Sequence, residues 1–327
     1  MEQATEQGRE RGTEHDQELA NRFEQHRGRL RGLAYRMLGS LDETEDAVQE
    51  TWLRLGRVDA LAVDNLAGWL RTVLSRVCLD MLRARRSRRE QLVGVSLPDG
   101  PPRPAGGPDP EAEALLAEAV GGALLVVLDT LGPDERVAFV LHDMFAVPFG
   151  DIAVIVGRST ATTKKLASRA RHKVGGGPVA DAARLARNRR VVEAFLAASR
   201  SGDLQAVLNV LAPDVVRRAD RAVLGPGRPE RAEGADTVGR EIAHFGAAAR
   251  HAEPALVDGA VGLVIAPLGR LHTVVTLTIA DDRVAAYELV ADPARLARTR
   301  IAVLPGALLG HDRPTARSSQ AMAGPAG

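Results

Sequence analysis

Apolar side chains recur at helical spacing through residues 16–91, where polar or glycine-containing stretches divide them into three stripes. The first stripe is Leu30, Leu33, Ala34, Met37 and Leu38, the second is Val48, Trp52 and Leu55, and the third runs from Leu66 to Leu82. Residues three and four positions apart share one face of an α-helix. The pattern therefore predicts an all-α domain over residues 16–91, with turns at Gly39-Ser40 and at 56–65.

A second helical pattern covers residues 111–174. The interval before it, residues 92–110, is rich in proline and glycine, which is typical of a linker. Within the pattern, Gly132-Pro133-Asp134-Glu135 combines a helix stop with a helix start. The sequence thus predicts a second all-α domain over 111–174, followed by a glycine-rich linker over 175–183.

The pattern changes after residue 184. Two helical segments, ending at Ser199 and Leu211, precede a loop-like stretch over 217–234 and a helix over Ala235–Ala249. Three strand-like runs follow: Ala255–Ile265, Leu271–Ile279 and Arg283–Val290. Helices followed by strands predict an α+β domain over 184–302. Residues 1–15 and 303–327 have the polar or Gly/Pro/Ser-rich composition that predicts disordered tails.

Composition narrows the class of protein. The 327 residues are 45% hydrophobic and 26% charged, which is typical of a soluble protein of several domains. No stretch of 18 apolar residues is present, so no membrane span is expected. The single cysteine, Cys78, cannot form an internal disulfide, which fits a reducing cytoplasm.

Charge is distributed in blocks although the formal net charge is only +1. Residues 42–50 contain five acids and no base, whereas residues 83–89 contain five arginines and no acid. Residues 158–173 are also basic without an acid. Local basic blocks can neutralise DNA phosphates in a molecule that is neutral overall. A solvated helix face is the alternative interpretation of any one block.

The segment Phe149–Lys173 has the pattern of a helix-turn-helix. Gly157 supplies a sharp turn after an apolar helix, and Ser159 is a good N-cap for the next helix. The polar faces of that second helix suit contacts with base edges and phosphates. Its candidate DNA-contacting residues are Ser159, Thr160, Thr162, Thr163, Lys164, Lys165, Arg169 and Arg171. An ordinary helical hairpin with a basic surface is the alternative.

Two surfaces of the first helical domain differ in charge. Asp46, Gln49 and Glu50 fall on neighbouring turns of one helix face, which suits a basic protein partner. Trp69 precedes an arginine-rich helix end, where an aromatic ring can stack on unpaired bases while arginines hold the backbone. A core position is the alternative for Trp69.

Three segments resemble one known family when they are taken in order. Residues 34–55 and 65–90 resemble region 2 of sigma factors, and residues 131–174 resemble region 4, with only a linker between them. This layout is that of the extracytoplasmic-function (group IV) sigma factors. Residues 184–302 resemble a SnoaL-like domain, a cone-shaped α+β barrel that some members of this family carry at the C-terminus.

The resemblance implies roles for particular residues. Asp46, Gln49, Glu50 and Trp52 would dock on the β′ clamp helices of core RNA polymerase, and region 4 would contact the β flap. The residues that would engage the melted −10 strand are Asn65, Trp69, Arg71, Arg76, Arg83, Arg85 and Arg86. The residues from Ser159 to Arg171 named above would read the −35 duplex.

The resemblance also implies regulation within one chain. The C-terminal domain would regulate the sigma domains in cis, with no dedicated anti-sigma factor required. Contact residues would lie in the linker, at Val93, Pro98 and Asp99, and in the element after the last strand, at Asp292, Pro293, Arg295 and Leu296.

Two other functions stay open from the residues alone. SnoaL-like folds include cyclases and isomerases, for which His244, His251, His272, Asp281 and Asp282 are candidate groups, although fold alone does not imply activity. A sensor or regulatory domain without catalysis, to which a small molecule could bind, is the preferred interpretation of this domain, and no metal or other cofactor is expected. A plain DNA-binding repressor is the third hypothesis, and the acidic face at Asp46–Glu50 argues against it.

Overall fold

The structure is a computed structural model that describes residues 2–58, 63–91, 117, 120–177, 181–224 and 227–305. The described residues form two helical domains followed by an α+β domain. The predicted fold class, two all-α domains and a C-terminal α+β domain, is confirmed.

The first helical domain contains α1 (Glu2–Leu38), α2 (Leu41–Leu55) and α3 (Leu66–Gln91). Their apolar stripes face each other, and Leu33, Leu38, Leu70 and Leu74 are buried. The prediction of disorder for residues 1–15 is wrong from residue 2 onward, because α1 already includes that segment. The segment is rich in glutamate, glutamine and arginine and lacks proline, so nothing in it ends the helix.

The second helical domain contains α4 (Gly122–Asp129), α5 (Pro133–Phe139), α6 (Phe149–Val156) and α7 (Thr160–Gly175), with a π-helical turn at Val140–Met144. Gly157 ends α6 in the left-handed conformation at φ +67°. The hydroxyl of Ser159 then accepts the N–H of Thr162 at 3.2 Å, which caps α7. The turn and the cap that the sequence predicts are both present.

The C-terminal domain combines four helices with one sheet. Its helices are α8 (Ala182–Ser201), α9 (Leu204–Val210), α10 (Ala235–Phe245) and α11 (Pro293–Leu296). Its strands are β1 (Leu211–Ala219), β2 (Arg231–Glu233), β3 (Ala252–Val257), β4 (Ala260–Ile265), β5 (Thr273–Ala280), β6 (Arg283–Val290) and β7 (Ile301–Ala302). The strand order is β2-β1-β6-β5-β4-β3-β7, and only the β1–β6 pair is parallel.

Three details of this domain differ from the sequence prediction. The run Ala255–Ile265 is a hairpin of β3 and β4, because Asp258-Gly259, both with positive φ, make a tight turn inside it. The stretch 217–234 includes the end of β1 and all of β2, so it is not only loop. Val303 and Leu304 are buried, so the predicted disordered tail does not begin at residue 303.

The sheet of the C-terminal domain is buried on both faces. Alternate residues of its strands, among them Leu256, Leu263 and Val275, pack with α8 of the same domain. The intervening residues, among them Val257, Val264 and Val274, pack with Ala123 of α4. Side chains of a strand alternate between its two faces, so the second helical domain supplies part of the cover for this sheet.

The two helical domains share one apolar core. A single cluster of buried residues includes Leu70 and Leu74 of α3 as well as Val137 and Phe139 of α5. The side chain of Arg136 is buried between the domains, where it pairs with Asp129 and donates to the carbonyl of Arg36. This packing holds α3 against the second helical domain, which contains the helix-turn-helix.

Candidate functional site

The acidic face of α2 remains largely exposed. Asp46 and Gln49 are exposed, and half-buried Glu50 forms an ion pair with Arg54 one turn later at 2.8 Å. An intrahelical pair of this type contributes little to stability and holds Glu50 on the same face. The face therefore offers a carboxylate and an amide to a partner.

An apolar groove adjoins this face, between α1 and α2. The ring of Trp52 packs on that of Phe23 with a centroid distance of 5.1 Å. These rings and Val48 line a space of about 200 Å³, and Glu45 and Gln49 line it as well. Sequence analysis missed the contribution of Phe23 because α1 carries no motif at that position. The predicted partner-binding residues Gln49 and Trp52 thus meet at one groove.

The start of α3 places the next predicted residues near the surface. The side-chain oxygen of exposed Asn65 accepts the N–H of Gly68 at 2.9 Å, so Asn65 caps the helix. Half-buried Trp69 packs against the shared helical core. Arg71 is half-buried, and its Nε has no hydrogen-bond partner among the residues that the structure describes.

Two arginines of α3 contact the helix-turn-helix domain. Arg76 donates to the carbonyl of Val154 at 3.3 Å. Arg83 binds Asp134 at 2.8 Å and donates to the carbonyl of Val156 at 3.4 Å. Both guanidinium groups, predicted to hold the −10 strand, therefore bind protein acceptors in this arrangement.

The last two predicted −10 residues have partners within the first helical domain. Arg85 forms an ion pair with Glu43 and donates to the carbonyl of Leu38. Exposed Arg86 pairs with Glu90 one turn later at 2.7 Å. Arg85 thus joins α3 to α2, whereas Arg86 remains at the surface.

The polar face of α7 is open to solvent. The side chains of Thr160, Lys164, Lys165 and Arg169 are exposed, and Thr162 is half-buried beside the Ser159 cap. Thr160 and Lys164 are four residues apart, as are Lys165 and Arg169, so each of these pairs lies on one face of the helix. This is the surface on which the sequence places duplex DNA.

Two residues of the predicted −35 set differ from these, because one is buried and the other is engaged in an ion pair. Thr163 is fully buried and its hydroxyl donates to the carbonyl of Ser159 at 3.0 Å, so the prediction that it contacts DNA is wrong. Thr163 lies on the apolar stripe of α7, four residues before buried Ala167. Arg171 binds Asp143 at 2.6 Å.

A second ion pair near the end of α7 fixes it to α5. Lys173 binds Glu135 at 2.7 Å. Burial acts to raise the pKa of Glu135, but the hydrogen bonds from Lys173 and from the N–H of Gly132 outweigh it, so this pKa is lowered. The cations at the C-terminal end of α7 therefore have structural partners that those at its N-terminal end lack among the described residues.

The element after the last long strand is held within its own domain. Asp292 caps α11 by accepting the N–H of Arg295, and Arg295 binds Asp220 and Glu288 at 2.6 and 2.8 Å. Burial acts to raise the pKa of Asp220, but the N–H groups of Asp292 and its neighbour, together with Arg295, outweigh it and lower the pKa. Pro293 begins α11.

The predicted contact between this element and the linker lies partly outside the structure. Val93, Pro98 and Asp99 fall outside the described residues. Half-buried Leu296 packs with the sheet face that also contacts α4. Through Leu296 this element thus packs against the buried cluster that also includes Ala123 of α4.

The candidate catalytic groups of the C-terminal domain do not form a buried site. His244, His251 and His272 are exposed, and Asp281 and Asp282 form the exposed turn between β5 and β6. The nearest side-chain partner of His272 is the hydroxyl of the next residue. These five side chains therefore lie at the surface of the domain and not in its interior.

A buried polar pair that sequence analysis missed lies in the same domain. Arg217 of β1 is 2% exposed and binds both carboxylate oxygens of Glu241, and it also donates to the carbonyl of Pro229 at 2.7 Å. Burial raises the pKa of Tyr287, which is paired in register with Arg217 on β6. Only the alternation of β1 could have indicated this inward arginine, and β1 itself was not predicted.

Metal binding, membrane insertion and thiol chemistry are three further possibilities for the part of the chain that the structure describes. No group of three or more metal-ligating side chains occurs among these residues. No helix among them is both long and apolar enough to cross a membrane. Burial raises the pKa of Cys78 to about 12, so its thiol stays protonated near neutral pH and is a poor nucleophile.

Comparison with known families identifies the two helical domains. A family model described as Sigma-70 region 2 matches residues 22–88, and one described as Sigma-70, region 4 matches residues 121–174. These matches include all of α2, most of α3 and nearly all of the helix-turn-helix.

Relatives extend the similarity to the C-terminal domain. The ECF RNA polymerase sigma factor SigJ of Mycobacterium tuberculosis is 38% identical over 287 residues, which cover 83% of this chain and 91% of SigJ. The probable ECF RNA polymerase sigma factor SigI of the same species is 38% identical over 195 residues, 60% of this chain and 67% of SigI. A crystal structure of SigJ covers 85% of this chain and 98% of its own, at 34% identity and a TM-score of 0.39.

The alignment with SigJ is longer than the 174 residues that end with the region 4 match, so it includes much of the C-terminal domain. Both sigma regions occur in the order that the sequence predicts. The chain belongs to the extracytoplasmic-function family of RNA polymerase sigma factors.

Proposed function

We propose that this sigma factor binds the β′ clamp helices of core RNA polymerase through the groove and acidic face of α1 and α2. The groove supplies apolar area from Phe23 and Trp52, and Asp46 and Gln49 supply exposed polar groups beside it. Charge complementarity of this kind favours a basic partner surface and speeds encounter. Region 4 would make a second contact, with the β flap.

Promoter DNA binds two separate surfaces in this proposal. The exposed face of α7, from Thr160 to Arg169 without Thr163, reads the −35 duplex. The start of α3 at Asn65 and Trp69, together with Arg71, Arg76, Arg83 and Arg86, engages the opened −10 strand. The exposed face of α7, behind a capped turn, is the single observation that supports promoter reading most strongly.

Strand opening needs no covalent chemistry from the sigma factor. Binding the single-stranded −10 element more tightly than the duplex lowers the free energy of the open complex by the difference in affinity. A base turned out of the stack costs a few kcal/mol, roughly, which contacts at Trp69 and the neighbouring arginines would offset.

The C-terminal domain regulates the sigma regions in cis without catalysis and without a dedicated anti-sigma factor. Its packing on α4 and the exposure of its three histidine candidates support this part of the proposal. Turnover of a polyketide-like substrate that is lost in His272→Ala or His244→Ala would contradict the absence of catalysis.

Run-off transcription tests the proposal. Purified full-length chain and a version ending at Gly177 are each mixed with core RNA polymerase and a template that carries the promoter region of the chain's own gene. We expect transcripts from one promoter-specific start, with a yield that differs between the two versions. Absence of any specific transcript contradicts promoter recognition, and equal yields contradict regulation in cis.

A further inference from the structure

The contact between the C-terminal sheet and region 4 has the composition of a permanent core. On the sheet face toward α4, Ala255 and Val264 are fully buried, and Val274 is 1% exposed. Ala123 of α4 belongs to the same buried cluster. A sheet face of this kind must be covered by an apolar element to remain out of water. Within the described residues, α4 of region 4 supplies this cover together with Leu296 of α11.

A carboxylate of the C-terminal domain caps this helix. Glu253 of β3 accepts the N–H of Gly122 at 2.8 Å and the N–H of Ala123 at 3.2 Å. The first N–H groups of a helix have no acceptor within the helix itself, and the helix dipole favours a negative charge there. Glu253 therefore supplies from another domain the cap that α4 lacks in its own sequence, where Gly121 holds the N-cap position.

Close backbone approach requires glycine at this contact. A Cβ on Gly122 would lie 2.4 Å from the carbonyl oxygen of Ala266, and a Cβ on Gly269 would lie 2.7 Å from the Cβ of Leu125. These distances are shorter than real Cβ contacts, so any larger residue would separate the sheet from α4.

A second attachment joins the same two domains. The N–H of Val303 donates to the carbonyl of Val174, near the end of α7, at 2.7 Å. The chain after β7 thus returns to region 4, where its backbone N–H binds a carbonyl in the last turn of α7. Both ends of the region 4 bundle, α4 and α7, are thereby attached to the C-terminal domain.

We propose that the C-terminal domain acts on region 4 directly through this dock, defined as the contact of α4 with β3, β4 and Glu253. The inference rests on the proposed cis regulation and names where it operates. The dock leaves Thr160, Lys164 and Lys165 exposed, so it does not cover the −35 surface. It fixes the position of region 4 instead, so that region 4 and the C-terminal domain move as one body.

Two substitutions in the full chain separate the domains in different ways. Gly122→Ala introduces the clashing Cβ, yet alanine favours helix over glycine, so α4 itself is not weakened. Glu253→Ala removes the cap, and Glu253→Gln retains one acceptor oxygen. Glu233→Gln is the matched control, because Glu233 is exposed on β2 at the far end of the strand order from β3.

Amide hydrogen exchange, followed residue by residue by NMR, tests the dock itself. The N–H groups of Gly122 and Ala123 have Glu253 as acceptor, so their protection reports this contact. We expect exchange at both amides to rise at least tenfold in Gly122→Ala and Glu253→Ala, less in Glu253→Gln, and not in Glu233→Gln. Unchanged exchange in the first two variants would overturn the dock.

Run-off transcription with the same full-length variants tests what the dock does. We expect Gly122→Ala and Glu253→Ala to change transcript yield in the same direction, by threefold or more relative to Glu233→Gln. Raised exchange with unchanged yield would overturn the regulatory role of the dock. Loss of all transcripts with the wild-type chain would instead contradict the proposed sigma activity, and exchange would still decide whether the dock exists.

Discussion

Two basic surfaces of this chain, on α3 and on α7, are both assigned to DNA by the sequence, and they differ in what they contact. On α3, Arg76 and Arg83 bind acceptors on region 4, including Asp134. On α7, Lys164 and Lys165 are exposed and form no ion pair with the residues that the structure describes. Cationic side chains therefore form interdomain contacts on α3, whereas on α7 they form an open surface that is predicted to bind DNA.

The difference shows what a charge block in a sequence leaves undetermined. Asp134 lies in the first turn of α5, where its negative charge interacts favourably with the helix dipole. The fold also brings its carboxylate to Arg83 and, at 3.5 Å, to Arg158 of the helix-turn-helix. Asp134 is 51 residues away from Arg83 along the chain, yet it forms the ion pair that engages this arginine of α3.

Removing the open cations should have the largest effect. We expect Lys164→Ala with Lys165→Ala to weaken binding of duplex promoter DNA by at least tenfold, because each lysine would contact about one phosphate. Fluorescence anisotropy over a salt series should also show the slope of log affinity against log salt reduced by roughly 2.

The matched control for that pair removes two cations from the same helix. Arg171 and Lys173 bind Asp143 and Glu135, so Arg171→Ala with Lys173→Ala should change the salt slope much less. Equal slopes for the two double variants would show that exposure on α7 does not identify the DNA-contacting cations.

Buried and exposed threonines of α7 should separate stability from DNA binding. We expect Thr163→Ala to lower the free energy of unfolding by about 1–2 kcal/mol, since it removes a buried methyl group and a hydroxyl hydrogen bond. Thr160→Ala, at an exposed position, should change it by less than about 0.5 kcal/mol and should weaken duplex binding. Urea unfolding and anisotropy measure the two effects, and a stability loss at Thr160 that exceeds the loss at Thr163 would reverse the assignment.

Releasing the occupied cation should have the smallest effect. Asp134→Asn removes an exposed ion pair, whose contribution is about 1 kcal/mol or less. We expect up to about a fivefold gain in affinity of the chain alone for single-stranded DNA. Asp282→Asn removes one acidic charge from an exposed turn of the C-terminal domain and is the control. A similar gain in both variants would indicate a general charge effect instead of release of Arg83.

Local sequence signals predicted most of the helical half of the fold. The apolar stripes, the Gly157 turn and the Ser159 cap depend on residues within about one helical turn of each other, so a sequence displays them directly. The hairpin at Asp258-Gly259 was also local, yet the continuous apolar run around it concealed the turn. Strand β1 was missed because Pro213-Asp214 near its start is typical of a turn.

Contacts between distant residues could not be predicted in the same way. Glu253 reaches α4 across 131 residues, and nothing near either partner indicates the pair. The buried pair of Arg217 and Glu241 is likewise formed by the fold of β1 and α10. Asp46, Gln49 and Glu50 could be assigned to one face of α2 from the sequence because the helix period alone determines it.

In the chain alone, the surface assigned to the −10 strand is occupied and the surface assigned to the −35 duplex is open. Oligonucleotide binding, measured with and without core RNA polymerase, tests this difference most directly. The probes are duplex and single-stranded segments of the promoter region of its own gene. We expect the chain alone to bind the duplex, and to bind the single strand tightly only with polymerase present. Equally tight single-strand binding without polymerase would contradict it, because Arg76 and Arg83 would then be available in the unbound protein.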